Sequence, residues 1–182
     1  MRRRLCWILV LSLSLCLGLP ARADAAGVAV GQVAPAIDLP LLVADPQSTP
    51  GTPTAQVSLA ELRGKVVYLD FWASWCGPCH MSFPQLEQLR LELGPRGFEV
   101  LAINVDEFEA DALTFLNEIP VSYLVVRDAE GVTPRTYGIL GMPTAYLIDR
   151  EGVVRLVHQG FRRGDGEKLR AEITTLLGEP PL

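Results

Sequence analysis

The period of the hydrophobic positions changes several times along the chain, and each change marks an element. Residues 65–72, Lys65-Val66-Val67-Tyr68-Leu69-Asp70-Phe71-Trp72, form a near-continuous apolar run, the pattern of a strand covered on both faces. From Cys76 to about Leu93, the apolar residues Met81, Phe83, Leu86, Leu89 and Leu93 recur at helical spacing, and Gln85, Glu87, Gln88, Arg90 and Glu92 take the other side. Pro84 is expected to kink that helix one turn beyond the cysteines. Residues 98–105 predict the next strand, 109–118 a helix, 123–127 a short strand and 132–137 a further helix. Residues 144–149 and 153–158 predict a hairpin across Arg150-Glu151-Gly152, and 166–177 a closing amphipathic helix.

Upstream, residues 31–42 alternate loosely and predict an N-terminal strand, while 45–56, rich in Pro, Thr, Ser and Gly, predict an exposed loop. Residues 57–64 predict a helical turn, capped by Ser58 and left through Gly64. Strand and helix alternate until the final hairpin. The expected fold class is α/β, a central mixed β-sheet flanked by helices on both faces.

The first residues follow none of these periods. Arg2-Arg3-Arg4, an apolar stretch over 5–19 and Ala21-Arg22-Ala23 make the three parts of a secretory signal, so residues 1–23 are read as a signal peptide and 24–182 as one domain. The apolar stretch is shorter than the roughly 20 residues of a spanning helix, and Leu15 precedes Cys16 where a lipidated cysteine follows a small residue. Cleavage is therefore expected, with a periplasmic or otherwise exported product that meets the membrane only if the signal is retained or lipidated. Loss of Arg2, Arg3, Arg4 and Arg22 leaves 12 basic against 21 acidic residues, a net charge of −9. That sign excludes a nucleic-acid partner. Cys6 and Cys16 leave with the signal, so Cys76 and Cys79 remain for chemistry rather than for a disulfide framework.

Their spacing suits thiol-disulfide exchange, which needs one thiolate to attack a partner's disulfide and a second thiol to release the partner. Cys76 at the start of a helix lies near free amides and the positive end of the macrodipole, which favours its thiolate and makes it the expected nucleophile. Cys79, one turn on and facing inward, is the expected resolving thiol, with Gly77-Pro78 keeping the turn narrow. A structural zinc site needs four ligands, and the mature chain offers Cys76, Cys79, His80 and His158, so no metal is expected. Cys76-Gly77-Pro78-Cys79-His80 also fits the pattern for covalent haem. Against haem stand Trp75 and Pro78 framing the pair and the apolar strand running straight into it. A haem- or copper-binding carrier using the same cysteines remains the alternative. A peroxidase on the related peroxiredoxin fold would need a Pro-x-x-x-Thr/Ser-x-x-Cys setting, which Cys76 lacks.

The run from Asp70 to Cys79, with Pro84 and Tyr137-Gly138-Ile139-Leu140-Gly141-Met142-Pro143-Thr144, resembles the thioredoxin fold. Gly31 with Ala34-Pro35, residues 57–65 and an extra segment over 108–126 resemble the secreted TlpA/ResA-like thiol-disulfide oxidoreductases in particular. This resemblance implies a thioredoxin-like fold with an N-terminal β extension and a central inserted αβ segment. It implies that Pro143 is the cis-proline beside the cysteines, that the backbone of Met142 pairs with an extended substrate segment, and that Trp75 contacts partners. Gly77 and Pro78 complete the substrate-facing turn. Asp70 matches the buried acid of thioredoxins, expected to have a raised pKa and to act as general base for Cys79. The lysine accompanying that acid appears here as Ala102. His80 and the pair Asp106 and Glu107 are expected to be solvated, and Trp72 to be core. The implied partners are protein disulfides and a membrane thiol-disulfide electron donor, with no cofactor beyond the redox-active cysteines. A Cys-Gly-Pro-Cys turn is similar to that of thioredoxin, at about −270 mV, rather than to the exported oxidases at about −120 mV, which implies reduction.

Overall fold

The computed structural model describes residues 27–42 and 55–178. The apolar run becomes β3 (Val66–Trp72), with every residue buried, and 98–105 becomes β4 (Phe98–Asn104), equally buried. These two strands pair in parallel, Val66 opposite Phe98 through to Trp72 opposite Asn104. Continuous hydrophobicity rather than alternation is what a strand with two covered faces requires.

Around this pair, β5 (Leu124–Arg127) adds in parallel to β4, while β6 (Thr144–Ile148) runs antiparallel to β3 and β7 (Val154–Gln159) antiparallel to β6. The sheet order is β5-β4-β3-β6-β7, mixed as expected, with the inserted segment supplying the β5 edge. One face carries α1 (Cys79–Leu93), α2 (Glu109–Glu118) and α4 (Asp165–Gly178) over Tyr68, Trp72, Val100 and Leu147. The other face, with Val67, Leu69, Phe71 and Ile103, is covered by α3 (Val132–Tyr137), a 3-10 turn and the N-terminal segment.

That N-terminal segment crosses the second face from one sheet edge to the other. Gly31 N donates to Val154 O (2.8 Å) and Val154 N to Gln32 O (2.9 Å) at β7, and Leu42 N donates to Val125 O (2.8 Å) at β5. Between them Ile37 is buried, and β1 (Asp38–Pro40) pairs with β2 (Gln56–Ser58). The strand expected over 31–42 is thus shorter, because most of the segment is spent crossing the sheet. Residues 45–54 of the expected loop and the expected signal peptide lie outside the described residues, and Gln56, expected in that loop, pairs in β2. Ser58 caps the 3-10 turn Leu59–Leu62 reciprocally with Glu61, and Gly64 follows at φ +85°, a conformation glycine adopts without a Cβ clash.

Helix α1 differs from its expected form in two ways. It starts at Cys79, and Cys76 stands in the turn before it. Met81 faces solvent, 46% exposed, whereas Ser82 is buried in its place, its hydroxyl donating to Cys79 O at 3.2 Å. Pro84 sits inside the helix, where it can offer no amide to the His80 carbonyl one turn back.

Candidate active site

Strand β3 delivers the site. After Trp72, residues 73–78 turn tightly: Cys76 N donates to Ala73 O, Cys79 N to Cys76 O, His80 N to Gly77 O and Met81 N to Pro78 O, at 3.0–3.2 Å. The first amides of α1 are therefore engaged by the turn itself. Cys76 gains the positive end of the helix dipole, but not the free amides of Cys79, His80 or Met81 that the sequence suggested. Cys76 and Cys79 are joined as a disulfide with Cα atoms 5.3 Å apart. Cys76 keeps 3% of its surface and Cys79 none, so the ordering of access is as expected although both are largely covered. Trp75, 72% exposed, forms with exposed Gly77 and Pro78 a ridge over the pair. Trp72 is core, its ring edge-on to Phe83 and tilted against Phe115 at centroid distances of 4.7 and 4.8 Å. His80 lies on the exposed helix surface against Phe115.

The turn is anchored from β4. Asp106 is buried, and its carboxylate accepts from Ser74 N (2.9 Å), Ser74 Oγ (2.9 Å) and Asn104 Nδ2 (2.7 Å). This corrects the expectation of a solvated loop: only Glu107 is exposed. The acid holds the main chain two residues before the nucleophile.

Asp70 lies behind the cysteines, 1% exposed, on the same strand face as Tyr68 and Trp72. The register sets Ala102 on one side and Ala145 on the other, so neither neighbouring strand brings it a cation or a donor side chain. Its Oδ2 has no hydrogen-bond partner among the described residues, and the same holds for Trp72 Nε1 and Tyr123 Oη. Burial without a compensating charge pushes the Asp70 carboxyl up to about 8. The phenols of Tyr68 and Tyr123 are raised by burial first and then by the Asp70 charge.

The Met142–Pro143 peptide bond is cis. Thr144 pairs with Phe71, which sets Pro143 beside Trp72 at the end of β3, and Met142 packs against the cluster containing both cysteines. Thr144 Oγ1 donates to Gly141 O, and Gly160 N to Pro143 O, fixing the loop from both sides. Leu140, 97% exposed, projects from that loop. Cys76, Cys79, Asp70, Trp75, Gly77, Pro78, Met142 and Pro143 are thus assembled at one end of the sheet.

Two groups escaped the sequence reading. Asp106 was one; the other is a line in which Tyr68 Oη lies 2.9 Å from His158 Nδ1 and His158 Nε2 lies 3.5 Å from Asp165 Oδ2. The available signal was phase: Tyr68, Asp70 and His158 are polar at positions that face the core.

The fold agrees with known proteins. A putative thiol:disulfide interchange protein DsbE from Chlorobium tepidum superposes with a TM-score of 0.74 at 44% identity, over 83% of this chain and 99% of that one. A putative protein disulfide isomerase from Bacteroides thetaiotaomicron gives 0.72 at 29% identity, over 84% and 92%. In sequence, the thiol-disulfide oxidoreductase ResA of Oceanobacillus iheyensis is 36% identical over 104 residues, 57% of this chain and 54% of the relative. ResA of Bacillus thuringiensis subsp. konkukian is 32% identical over 99 residues, 54% and 57% of the two chains. The chain spans little more than half the length of these curated relatives. The AhpC/TSA family model matches residues 30–157, from the N-terminal strap through the cysteine turn and the cis-proline to β7, and the chain belongs to that family.

Proposed function

We propose that this chain is an exported thiol-disulfide oxidoreductase that reduces disulfides in other proteins. The observation that carries the reading is the Cys76–Cys79 disulfide at the head of α1, with an unpaired buried acid behind it and a cis-proline beside it. The names of the ResA and DsbE relatives support the same chemistry.

In the proposed reaction the Cys76 thiolate attacks a partner's disulfide, forming a mixed disulfide and releasing one partner thiolate. Asp70, as carboxylate, takes the proton of Cys79. The Cys79 thiolate then attacks Cys76 Sγ, restoring the internal disulfide and releasing the second partner thiolate, which is protonated from solvent. Two electrons pass from the dithiol to the partner. A base whose pKa lies near ambient pH is suited to this task, because it can both accept and surrender the proton. The Trp75-Gly77-Pro78 ridge and the Met142 backbone receive the extended partner segment.

Export rests on the basic, apolar and small-residue parts of residues 1–23. An exported reductase needs a membrane electron donor to regenerate its dithiol, and apocytochromes awaiting haem or copper-site cysteines are the proposed substrates. No helix among the described residues is long and apolar enough to cross a membrane.

Insulin-disulfide reduction tests the reading. Cys76→Ser is expected to abolish it, and Cys79→Ser to accumulate mixed disulfides; equal activity in both variants ends the two-thiol assignment. A haem absorption band or stoichiometric copper in the purified protein would instead favour the carrier.

A further inference from the structure

A proton that reaches Asp70 is enclosed. The acid is covered by α1, α2 and α4, and the next turnover requires it to be a carboxylate again. The sheet register offers one polar way out. Across the face that bears the acid, the row reads Ala102, Asp70, Ala145, His158, from β4 through β3 and β6 to β7. Only the methyl of Ala145 stands between Asp70 and His158 in that row. Tyr68 projects from the same face of β3, two residues before Asp70, and its hydroxyl reaches His158 Nδ1 at 2.9 Å. His158 in turn faces Asp165 at the start of α4 and lines a cavity of about 270 Å³ with Leu156, Lys168, Leu169 and Glu172.

We propose that Tyr68 and His158 form the exit route for the proton that Asp70 takes from Cys79, carrying it across the sheet to the cavity beside Asp165. The proposal rests on the thiol-disulfide reading above.

The balance is one proton in and one out. Protonated Asp70 releases its proton through a water seated over the Ala145 methyl to Tyr68 Oη. Tyr68 gives its own hydroxyl proton to His158 Nδ1, so the phenol never carries charge. His158 then releases its Nε2 proton to Asp165 or to solvent in the cavity and is left as the Nδ1–H tautomer; a flip of the ring, with rotation of the Tyr68 hydroxyl, resets the line for the next proton. The orphaned Asp70 Oδ2 supplies the polar group that such a water needs. The groups facing this line are Asp70 on β3, the Tyr123 phenol that feels the Asp70 charge, Asp165, Lys168 and Glu172 on α4, and the Phe161 ring against His158. Asp165 accepts from Lys168 Nζ and Arg162 N, which hold its carboxyl below the usual range, so it stays an anion able to orient the His158 Nε2–H. Tyr68 and His158 act through Asp70 and never touch the sulfur atoms.

The test mixes reduced protein with oxidised glutathione and follows tryptophan fluorescence from about pH 6 to 9, in dilute buffer and again with added imidazole. Tyr68→Phe and His158→Asn are each expected to leave the bimolecular attack phase unchanged and to slow the resolving phase about tenfold in dilute buffer. Imidazole, a mobile proton carrier, is expected to restore the resolving rate, and the solvent deuterium isotope effect to rise in the variants. Wild-type rates in dilute buffer, or a slowed phase that imidazole leaves unchanged, would overturn the relay and reduce the Tyr68–His158 bond to packing. Should Tyr68→Phe fail to fold, His158→Asn, at the cavity wall, decides alone. If the wild-type protein shows no attack phase, the thiol-disulfide reading itself fails; if only the variants match wild type, the relay alone fails.

Discussion

Two buried aspartates stand close to the cysteine pair, and they live in opposite surroundings. Asp106 is 2% exposed and surrounded by donors, accepting from Ser74 and Asn104. Asp70 is 1% exposed, set between two alanines, with one oxygen unpaired. Identical residue type and near-identical burial therefore yield different jobs. Donors make the first a fastener for the turn, whereas isolation leaves the second with a carboxyl raised by burial, which suits the proton-transfer role proposed for it.

The contrast can be broken most severely at the fastener. Asp106→Ala leaves the half-buried Ser74 N and Ser74 Oγ and the buried Asn104 Nδ2 without their acceptor, at an expected cost on the order of 3–5 kcal/mol. At about 2–4 °C per kcal/mol for a chain of this size, melting should fall by roughly 10 °C, as calorimetry would read. A melting temperature within a degree or two of wild type would mean that Asp106 does not hold the turn.

Asp70 should respond with the reverse sign. Below about pH 4 folded and unfolded chains both hold the Asp70 proton. Between there and about 8 the unfolded chain releases it while the folded chain keeps it, so stability falls as pH rises through this window and levels off above it. Asp70→Asn removes that loss. The variant should be more stable than wild type by a few kcal/mol at pH 9, with the gap closing towards pH 4 in parallel denaturation series. The same substitution should slow the resolving step more than the attack. A pH-independent difference in stability would contradict the isolated-acid picture.

Neither aspartate's role could be read in full from the chain. Asp70 was legible because, in an apolar strand six residues before Cys76, it matches the buried acid of thioredoxins, and that resemblance implied burial behind the thiols. Asp106 was not, because its partner Ser74 lies 32 residues away and the pairing exists only once β3 and β4 are in register. Tyr68 and His158 are 90 residues apart and meet through the antiparallel ladder of β6 and β7. The helices expected over 109–118 and 132–137 match α2 and α3 to the residue. Cys76 was misplaced into the helix because a tight turn and a first helical turn have the same residue spacing.

Two smaller substitutions sharpen the comparison. Ala102→Ser sets a hydroxyl opposite Asp70, and giving the acid one donor should move the alkaline stability transition down by about one pH unit, worth roughly 1.4 kcal/mol. An unmoved transition would show that the alanine row does not control the acid. Ser74→Ala removes one of the Asp106 contacts and keeps the backbone bond, so urea denaturation should register a loss of about 1 kcal/mol. A loss as large as that of Asp106→Ala would place the fastening in the hydroxyl rather than in the network.

The N-terminal strap has a consequence for self-association. The outer strands of an open sheet present rows of unpaired amides and carbonyls to any neighbouring molecule. Here one segment hydrogen-bonds to both outer strands, at Val125 and at Val154, and so blunts each row where it is anchored. Trp75 and Leu140 remain uncovered beside the thiols. The uncovered apolar side chains thus stand at one end of the sheet, apart from the flanks that the strap caps.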